Sequence, residues 1–432
     1  MELEEWINYC QDLLEKVRIN KKHILELEKS ERKRISDITD ELREKFIFAI
    51  IPKNEINEAI RWINELVKEI DELKHKAGIK GVTFAKEMKS FLEDPLLHLK
   101  KKIFNYVFDL LNGNLRIADF IMKAGAAIRT SLRTNMRSIY QAWVFLVLID
   151  YLLDNGRIIY PEHKFLYIER NRRQSIGILP PNCIVEFDLG KRLSFFIEVP
   201  RPLSWHDSSD LSRVWRFYVA LRPDFMVYSG TEMNIALPEQ SPPIKRPNVI
   251  IECKELEDWY KRTRDLRGWW SKAITAEKWR SLWLRGLIKG LADAMGVKTK
   301  EELMKVTSEK KSLRVKEYRL VQIYKRFYKP DDMILITRTH VPKEIKNEIE
   351  SSGLLVFDNI NFKKDKLEEV VEILKRFGKC DTEDLDLISI IKREFNLNMN
   401  GRIISKAVLN ILRKHSSDFL QEINKLKDNQ GY

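Results

Sequence analysis

PDFMVYSG (Pro223–Gly230) and NVIIECKE (Asn248–Glu255) decide how this chain is read. Each is a short run of apolar and β-branched residues bounded by turn-forming residues or charge, the pattern of a buried strand. Asp224 enters the first strand from Pro223, and Glu252 and Lys254 close the second. Along an extended strand, side chains at i and i+2 share a face, so Glu252 and Lys254 project together while Ile251 and Cys253 turn to the other side. The connection between the two runs holds MNIAL (Met233–Leu237), read as a hairpin strand of its own, and it permits the runs to be neighbours. Asp224 then meets Glu252 across the ladder, and two carboxylates face one lysine.

Carboxylate oxygens so placed suit a hard cation such as Mg²⁺ (or Mn²⁺), with Asp224, Glu252 and the backbone carbonyl of Cys253 as ligands. The expected chemistry is in-line hydrolysis of a phosphodiester, in which Lys254 orients the nucleophile and offsets developing negative charge. Alternation turns the Cys253 thiol into the core, so it is read as a packing residue and not as a nucleophile. Pro223, Asp224, Glu252 and Lys254 together resemble the signature of the PD-(D/E)XK nuclease superfamily, the restriction-endonuclease-like fold. The resemblance implies Mg²⁺ ligation by Asp224 and Glu252, a catalytic role for Lys254, and a core of helix, three-stranded meander, helix and strand. YQAW (Tyr140–Trp143) resembles the YExW pattern of some members, with Gln141 where they carry an acid. Either two carboxylates then suffice, or Glu198 of FFIEV supplies a third. Pro-Asp and Glu-x-Lys at loose spacing also arise as a surface salt-bridge pair, and the flanking apolar strands and basic charge favour the nuclease.

Lysine and arginine outnumber acids, giving a formal net charge of +13 and an isoelectric point near 9.3, which favours a polyanionic partner, here DNA. Basic charge serves RNA equally, and an RNA-processing nuclease or a nuclease fold that binds DNA without cutting it are the alternatives. The longest apolar run, Trp143 to Ile149, stops at Asp150, so no membrane span is expected; the acidic start MELEEWINYC carries no signal-peptide pattern, and a cytoplasmic protein follows. Cys10, Cys183, Cys253 and Cys380 make no CxxC pair or Cys/His cluster, which argues against structural zinc and a disulfide scaffold. No GxxxxGK[ST] phosphate loop is present, so ATP-driven translocation is not supported. The Lys-, Glu- and Ile-rich, Gln-poor usage resembles that of a thermophile.

The chain divides by texture into a helical region 1–134, an α/β region 135–377 with a mixed central sheet flanked by helices, and a helical, basic region 378–432. The first region breaks at Pro52, at Gly78 and Gly81, and at Gly113, and no strand is expected in it. Ile56, Ile60, Ile63, Val67 and Ile70 make the expected buried stripe of one of its helices. SIYQAWVFLVLIDYLLDNG (Ser138–Gly156) reads as a buried helix; FLYIER, CIVEFDL, LSFFIEV, MILIT and LLVFD read as strands, and KEIKNEIESSG as a helix. A long helix is expected from about Ile274 to Met295. No internal repeat is read at this level. Phosphate contacts are expected from Arg201, Arg213, Arg216 and Arg222 before Asp224, and from Lys272, Lys278 and Arg280 among tryptophans after the site. His206 in SWHDSSD reads as loop surface, with Asp207 and Asp210 as rival partners for those arginines. A two-fold homodimer would let two sites cut two strands.

Overall fold

The computed structural model describes residues 2–16, 29–168, 177–188, 190–200, 221–265 and 314–380. Its helical first part consists of α1 (Leu3–Lys16), α2 (Lys29–Ile50) and α3 (Lys53–Ala77), a strand β1 (Gly81–Thr83), and then α4 (Lys86–Glu93), α5 (Pro95–Lys102), α6 (Phe104–Leu111) and α7 (Ile117–Leu152). The punctuation is local chemistry. Pro52 opens α3, where a missing N–H costs nothing, and Gly78 closes it in the left-handed region at φ +60°, its N–H donating to the Lys74 carbonyl. Asp94 caps α5 by accepting the Leu97 N–H, with Pro95 at the first helical position. Trp6, Phe46 and Phe120 pack together at ring-centroid distances of 4.7–5.4 Å and join α1, α2 and α7 in one core.

After α7 come β2 (Gly156–Tyr160), β3 (Phe165–Tyr167), β4 (Cys183–Phe187), β5 (Lys191–Ile197), β6 (Phe225–Ser229), β7 (Val249–Lys254), β8 (Thr263–Asp265), β9 (Arg314–Lys316), α8 (Glu317–Tyr328), β10 (Asp332–Thr337), α9 (Lys343–Ser351), β11 (Leu355–Phe357) and α10 (Glu368–Arg376). Seven strands form one mixed sheet in the order β11-β10-β7-β6-β5-β4-β2. The β2, β4, β5, β6 and β7 neighbours are antiparallel, whereas β7, β10 and β11 run parallel. Alternation sorts the two faces. Phe225, Val227, Ile251, Cys253, Ile334 and Ile336 pack with α7 and the helical part, while Met226, Tyr228, Ile250, Met333 and Leu335 pack with α8. The protein is thus α/β, with helices on both faces of a mixed sheet.

Several expectations are corrected. Strand β1 lies within the part read as purely helical and pairs in parallel with β3, so FLYIER joins a separate two-stranded sheet and not the central one. MNIAL is not a strand: among the described residues only Ala236 bridges to Ile244 there. Asn234 accepts the N–H groups of Leu179 and Ala236, a local alternative to ladder pairing, and nearby prolines offer no donor. The buried stripe of α3 is Ile56, Ala59, Trp62, Ile63, Leu66 and Leu73, whereas Ile60 and Val67 are 43% and 44% exposed. Helix α7 ends at Leu152, and Gly156 opens β2, which the sequence reading missed. The expected boundary at 134/135 falls inside α7, which spans 36 residues. By length and composition, Ile117–Asn155 is long and apolar enough to cross a membrane, contrary to the reading of its apolar run, but 78% of its most apolar window is buried inside the protein. The helix expected from Ile274 and the region from 381 onward lie outside the described residues.

Candidate active site

Strands β6 and β7 pair antiparallel with Phe225 opposite Ile251 and Met226 opposite Ile250, a register that sets Asp224, one residue before β6, against Glu252. The Asp224 N–H donates to Glu252 Oε2 at 3.2 Å, and the Cys253 N–H donates to Asp224 Oδ2 at 2.7 Å. Two positions along β7, the Lys254 ammonium lies 3.0 Å from Glu252 Oε1. Asp224, Glu252 and Lys254 are each at most 8% exposed, so their charges sit where water screens them little.

Both helical layers reach this end of the sheet. From α7, the Gln141 amide donates to Asp224 Oδ1 at 2.6 Å, so the residue at the expected acid position is a hydrogen-bond donor to the acid on the strand. From α8, Glu317 Oε2 stands 3.3 Å from the Lys254 ammonium. Glu198 follows β5 in the left-handed region at φ +47°, and its N–H donates to the Asp224 carbonyl at 2.9 Å, which fixes the backbone where Asp224 leaves its turn. Glu255 is buried directly after Lys254, and its carbonyl accepts from Arg338, whose guanidinium lies 4.8 Å from the Trp62 ring centroid.

The electrostatics follow from this crowding. Burial first, and then the charge of Glu252, push the Asp224 carboxyl well above the ordinary carboxylate range, against the pull of Lys254 and the Cys253 N–H. Burial also raises Glu255. For Lys254, burial opposes the charged form, yet the carboxylates of Glu252, Glu317 and Asp224 outweigh it and the ammonium is held more tightly than usual. Burial drives the Cys253 thiol far up, which makes it inert as a nucleophile. Arg137, one helical turn before Gln141, has its pKa raised by the charges of Asp224, Glu198, Glu255 and Glu252, against the opposing effect of burial.

Among the described residues, each of the four carboxylate oxygens of Asp224 and Glu252 accepts one hydrogen bond or ion pair, and a carboxylate oxygen has two lone pairs. Acceptor capacity therefore remains for a hard cation. By donor type and charge the residues fit Mg²⁺ or Mn²⁺.

Of the expected phosphate contacts, only Arg222 lies in the described part, two residues before Asp224 and half-buried; Arg201, Arg213, Arg216, Lys272, Lys278 and Arg280 lie outside it, as does His206. Sequence reasoning missed Glu317 and Arg137. No motif marks Glu317, whereas Arg137 is spaced four residues from Gln141 on the same helix. A second acidic group, Glu69, Glu72 and Asp150, brings its ligand atoms within 4.8 Å of one another. The Lys364 ammonium sits among them, 2.9 Å from Glu69, 2.7 Å from Glu72 and 3.0 Å from Asp150, so this group is an ion-paired knot that ties α3 and α7 to the turn before α10. Burial pushes the Glu69 carboxyl up to about 6 despite Lys364.

No family model, no curated protein and no solved structure matches this chain.

Proposed function

We propose that the chain is a metal-dependent nuclease of the PD-(D/E)XK type that hydrolyses DNA phosphodiester bonds at Asp224, Glu252 and Lys254. The observation that carries the reading is the meeting of Asp224 and Glu252 across β6 and β7, with Lys254 on Glu252. The order of elements supports it as well: a long buried helix, the antiparallel run β5-β6-β7, helix α8 and the parallel strand β10 occur in the order of a restriction-endonuclease-like core, with β2 to β4 inserted before β5 and β8 and β9 before α8. The excess of basic residues suits a phosphate polymer.

In this reading Asp224 and Glu252, with the Cys253 carbonyl, hold Mg²⁺ or Mn²⁺. When bound, the ion supplies Lewis-acid polarisation of a phosphate oxygen and makes a water molecule more acidic. The chain's own contribution is orientation and charge. Gln141 and the Cys253 N–H fix both oxygens of Asp224, so its carboxylate is aimed before any ligand arrives. Glu252 and Glu317 hold Lys254 protonated beside the carboxylate pair, where it places the nucleophile and stabilises charge that develops on the phosphate.

Gln141 in place of a helix acid favours a second reading, a nuclease fold retained for DNA binding alone. One experiment separates the two. Purified protein is incubated with single-stranded, duplex and branched DNA and with RNA, plus Mg²⁺ or Mn²⁺, beside Glu252→Ala. Metal-dependent DNA cleavage that vanishes in the variant is the expected result. Binding without cleavage on every substrate overturns the nuclease in favour of the binding protein, and cleavage confined to RNA moves the activity to RNA.

A further inference from the structure

Before it reaches the site, α7 repeats at every fourth residue: Arg129-Thr-Ser-Leu, Arg133-Thr-Asn-Met, Arg137-Ser-Ile-Tyr, and then Gln141. The repeat is one helical turn long, too short to be read as a structural repeat, and it acquires meaning only on the helix. Four residues make 400° of turn and a rise of about 6 Å, so the three arginines and Gln141 form one slowly winding row. Burial divides the first two tetrads alike, with Arg and Thr outward, and the row sinks into the protein at the third. Ser131, Leu132, Asn135, Ile139 and Tyr140 face the core, Arg129, Thr130, Arg133 and Thr134 are exposed, and Arg137 is half-buried.

The row has a direction. At one end Gln141 holds Asp224, and one turn back Arg137 feels the charges of the four carboxylates around the site. The Nε of Arg137 is buried without a hydrogen-bond partner. One turn further out stands Arg133, whose charge adds a small pull on Asp258, a residue held mainly by Arg262. Elsewhere on the surface, helix cations pair with acids one turn away, as in Arg61–Glu58, Lys74–Asp71 and Arg116–Asp119. None of the ion pairs formed among the described residues involves Arg129, Arg133 or Arg137. The exposed guanidinium groups of Arg129 and Arg133, each followed by a threonine, and the half-buried one of Arg137 recur at a rise of about 6 Å and offer planar forks of donors to an anionic polymer, and a guanidinium fork binds phosphate in bidentate fashion.

We propose that Arg129, Arg133 and Arg137, with Thr130 and Thr134 beside them, hold successive backbone phosphates of the DNA strand that leads into the Asp224 site; the choice of polymer rests on the nuclease reading above. Arg137 holds the phosphate nearest the reacting one, and Arg129 the farthest.

Fluorescence anisotropy of the full chain with a labelled DNA duplex of about 30 base pairs, in chelator and across roughly 50–200 mM salt, tests this. The variants are Arg129→Gln/Arg133→Gln, the same with Arg137→Gln added, and Lys123→Gln, an exposed cation of α7 off the row. The double variant alters only exposed helix positions and keeps a good helix former at each, so it decides the matter even where the triple variant melts early. Each phosphate that the protein no longer neutralises flattens the slope of log affinity against log salt by about 0.9, so the double variant is expected to lose about 2 and the triple about 3. Affinity near 100 mM salt falls at least tenfold in the double variant, and Lys123→Gln stays within about twofold of wild type. Unchanged slope and affinity in the double variant overturn the track. Tighter arginine-dependent binding of an RNA duplex of the same length overturns DNA as its occupant. Cleavage is scored separately: arginine-dependent DNA binding with no cleavage rejects the nuclease and leaves the track, whereas Glu252-dependent cleavage with arginine-independent binding does the reverse.

Discussion

Replacing Asp224 by asparagine is expected to stabilise the protein in chelator and to destroy its response to divalent metal. The side chains have the same shape, and both hydrogen bonds survive: Asn Oδ1 accepts the Cys253 N–H, now at 2.7 Å from Asp224 Oδ2, and Asn Nδ2 donates to Gln141 once that amide turns over. What changes is the charge. Burial and Glu252 raise the Asp224 carboxyl in the folded protein, so the fold binds more protons than the unfolded chain does. Stability from this group is fully present below the unfolded pKa near 4 and is lost as pH rises toward the folded value. Asparagine carries no such loss, so its advantage opens above about pH 4 and widens with pH. Two hydrogen bonds to a charged acceptor become neutral ones and give back about 1 kcal/mol each, while desolvating a buried carboxylate costs several. The net gain is about 1–2 kcal/mol, or a rise in Tm of roughly 1–2 °C in a chain of this length. At Mg²⁺ a hundredfold above its Kd, wild type gains about 2.7 kcal/mol and the variant gains little, so the order of the two melting curves reverses. Differential scanning calorimetry at pH 8, in chelator and in Mg²⁺, reads both effects. A variant that melts below wild type in chelator, or that responds to Mg²⁺ as wild type does, refutes the reasoning.

Lys254→Met leaves buried Glu252 and half-buried Glu317 without the ammonium that lies 3.0 and 3.3 Å from them, and is expected to destabilise by about 3 kcal/mol in chelator. Part of that loss should return with Mg²⁺, and chemical denaturation with and without the metal checks it. Glu69→Gln tests the sign of the ionic knot. Glu69 is held near 6 when folded against an ordinary value of 4.5, so its ionisation opposes folding above pH 6; the glutamine variant should be more stable by up to about 2 kcal/mol at pH 7.5 and equal to wild type near pH 4. Urea midpoints at the two pH values decide it, and a large loss at pH 7.5 would show that the pairing with Lys364 outweighs burial.

The carboxylate pair was legible because strand geometry needs little context. A period of two places Glu252 with Lys254, and an antiparallel neighbour places Asp224 opposite Glu252. The buried stripe of α3 was not, since Ile56, Ile60, Ile63 and Val67 and the observed Ile56, Ala59, Ile63 and Leu66 are both acceptable helical stripes, and only the packing of Trp62 under Arg338 and against Tyr140 chooses between them. Strand β1 has three residues and pairs with a segment 84 positions later, which no local pattern announces. Glu317 joins the site through the fold alone, from the first turn of α8. The arginine row stood in plain view in the sequence, but its spacing matters only once α7 is known to run unbroken from Ile117 to Leu152.

That continuity makes α7 a ruler with a phase. An insertion of one residue between Arg137 and Gln141 would turn the outer arginines by about 100° around the helix while leaving every one of them in the chain. A whole tetrad inserted at the same place would turn them by only about 40° and move them about 6 Å outward. If the polymer is measured by this helix, the first change uncouples grip from scission and the second shifts the strand by about one phosphate, so the cut would be displaced and not lost.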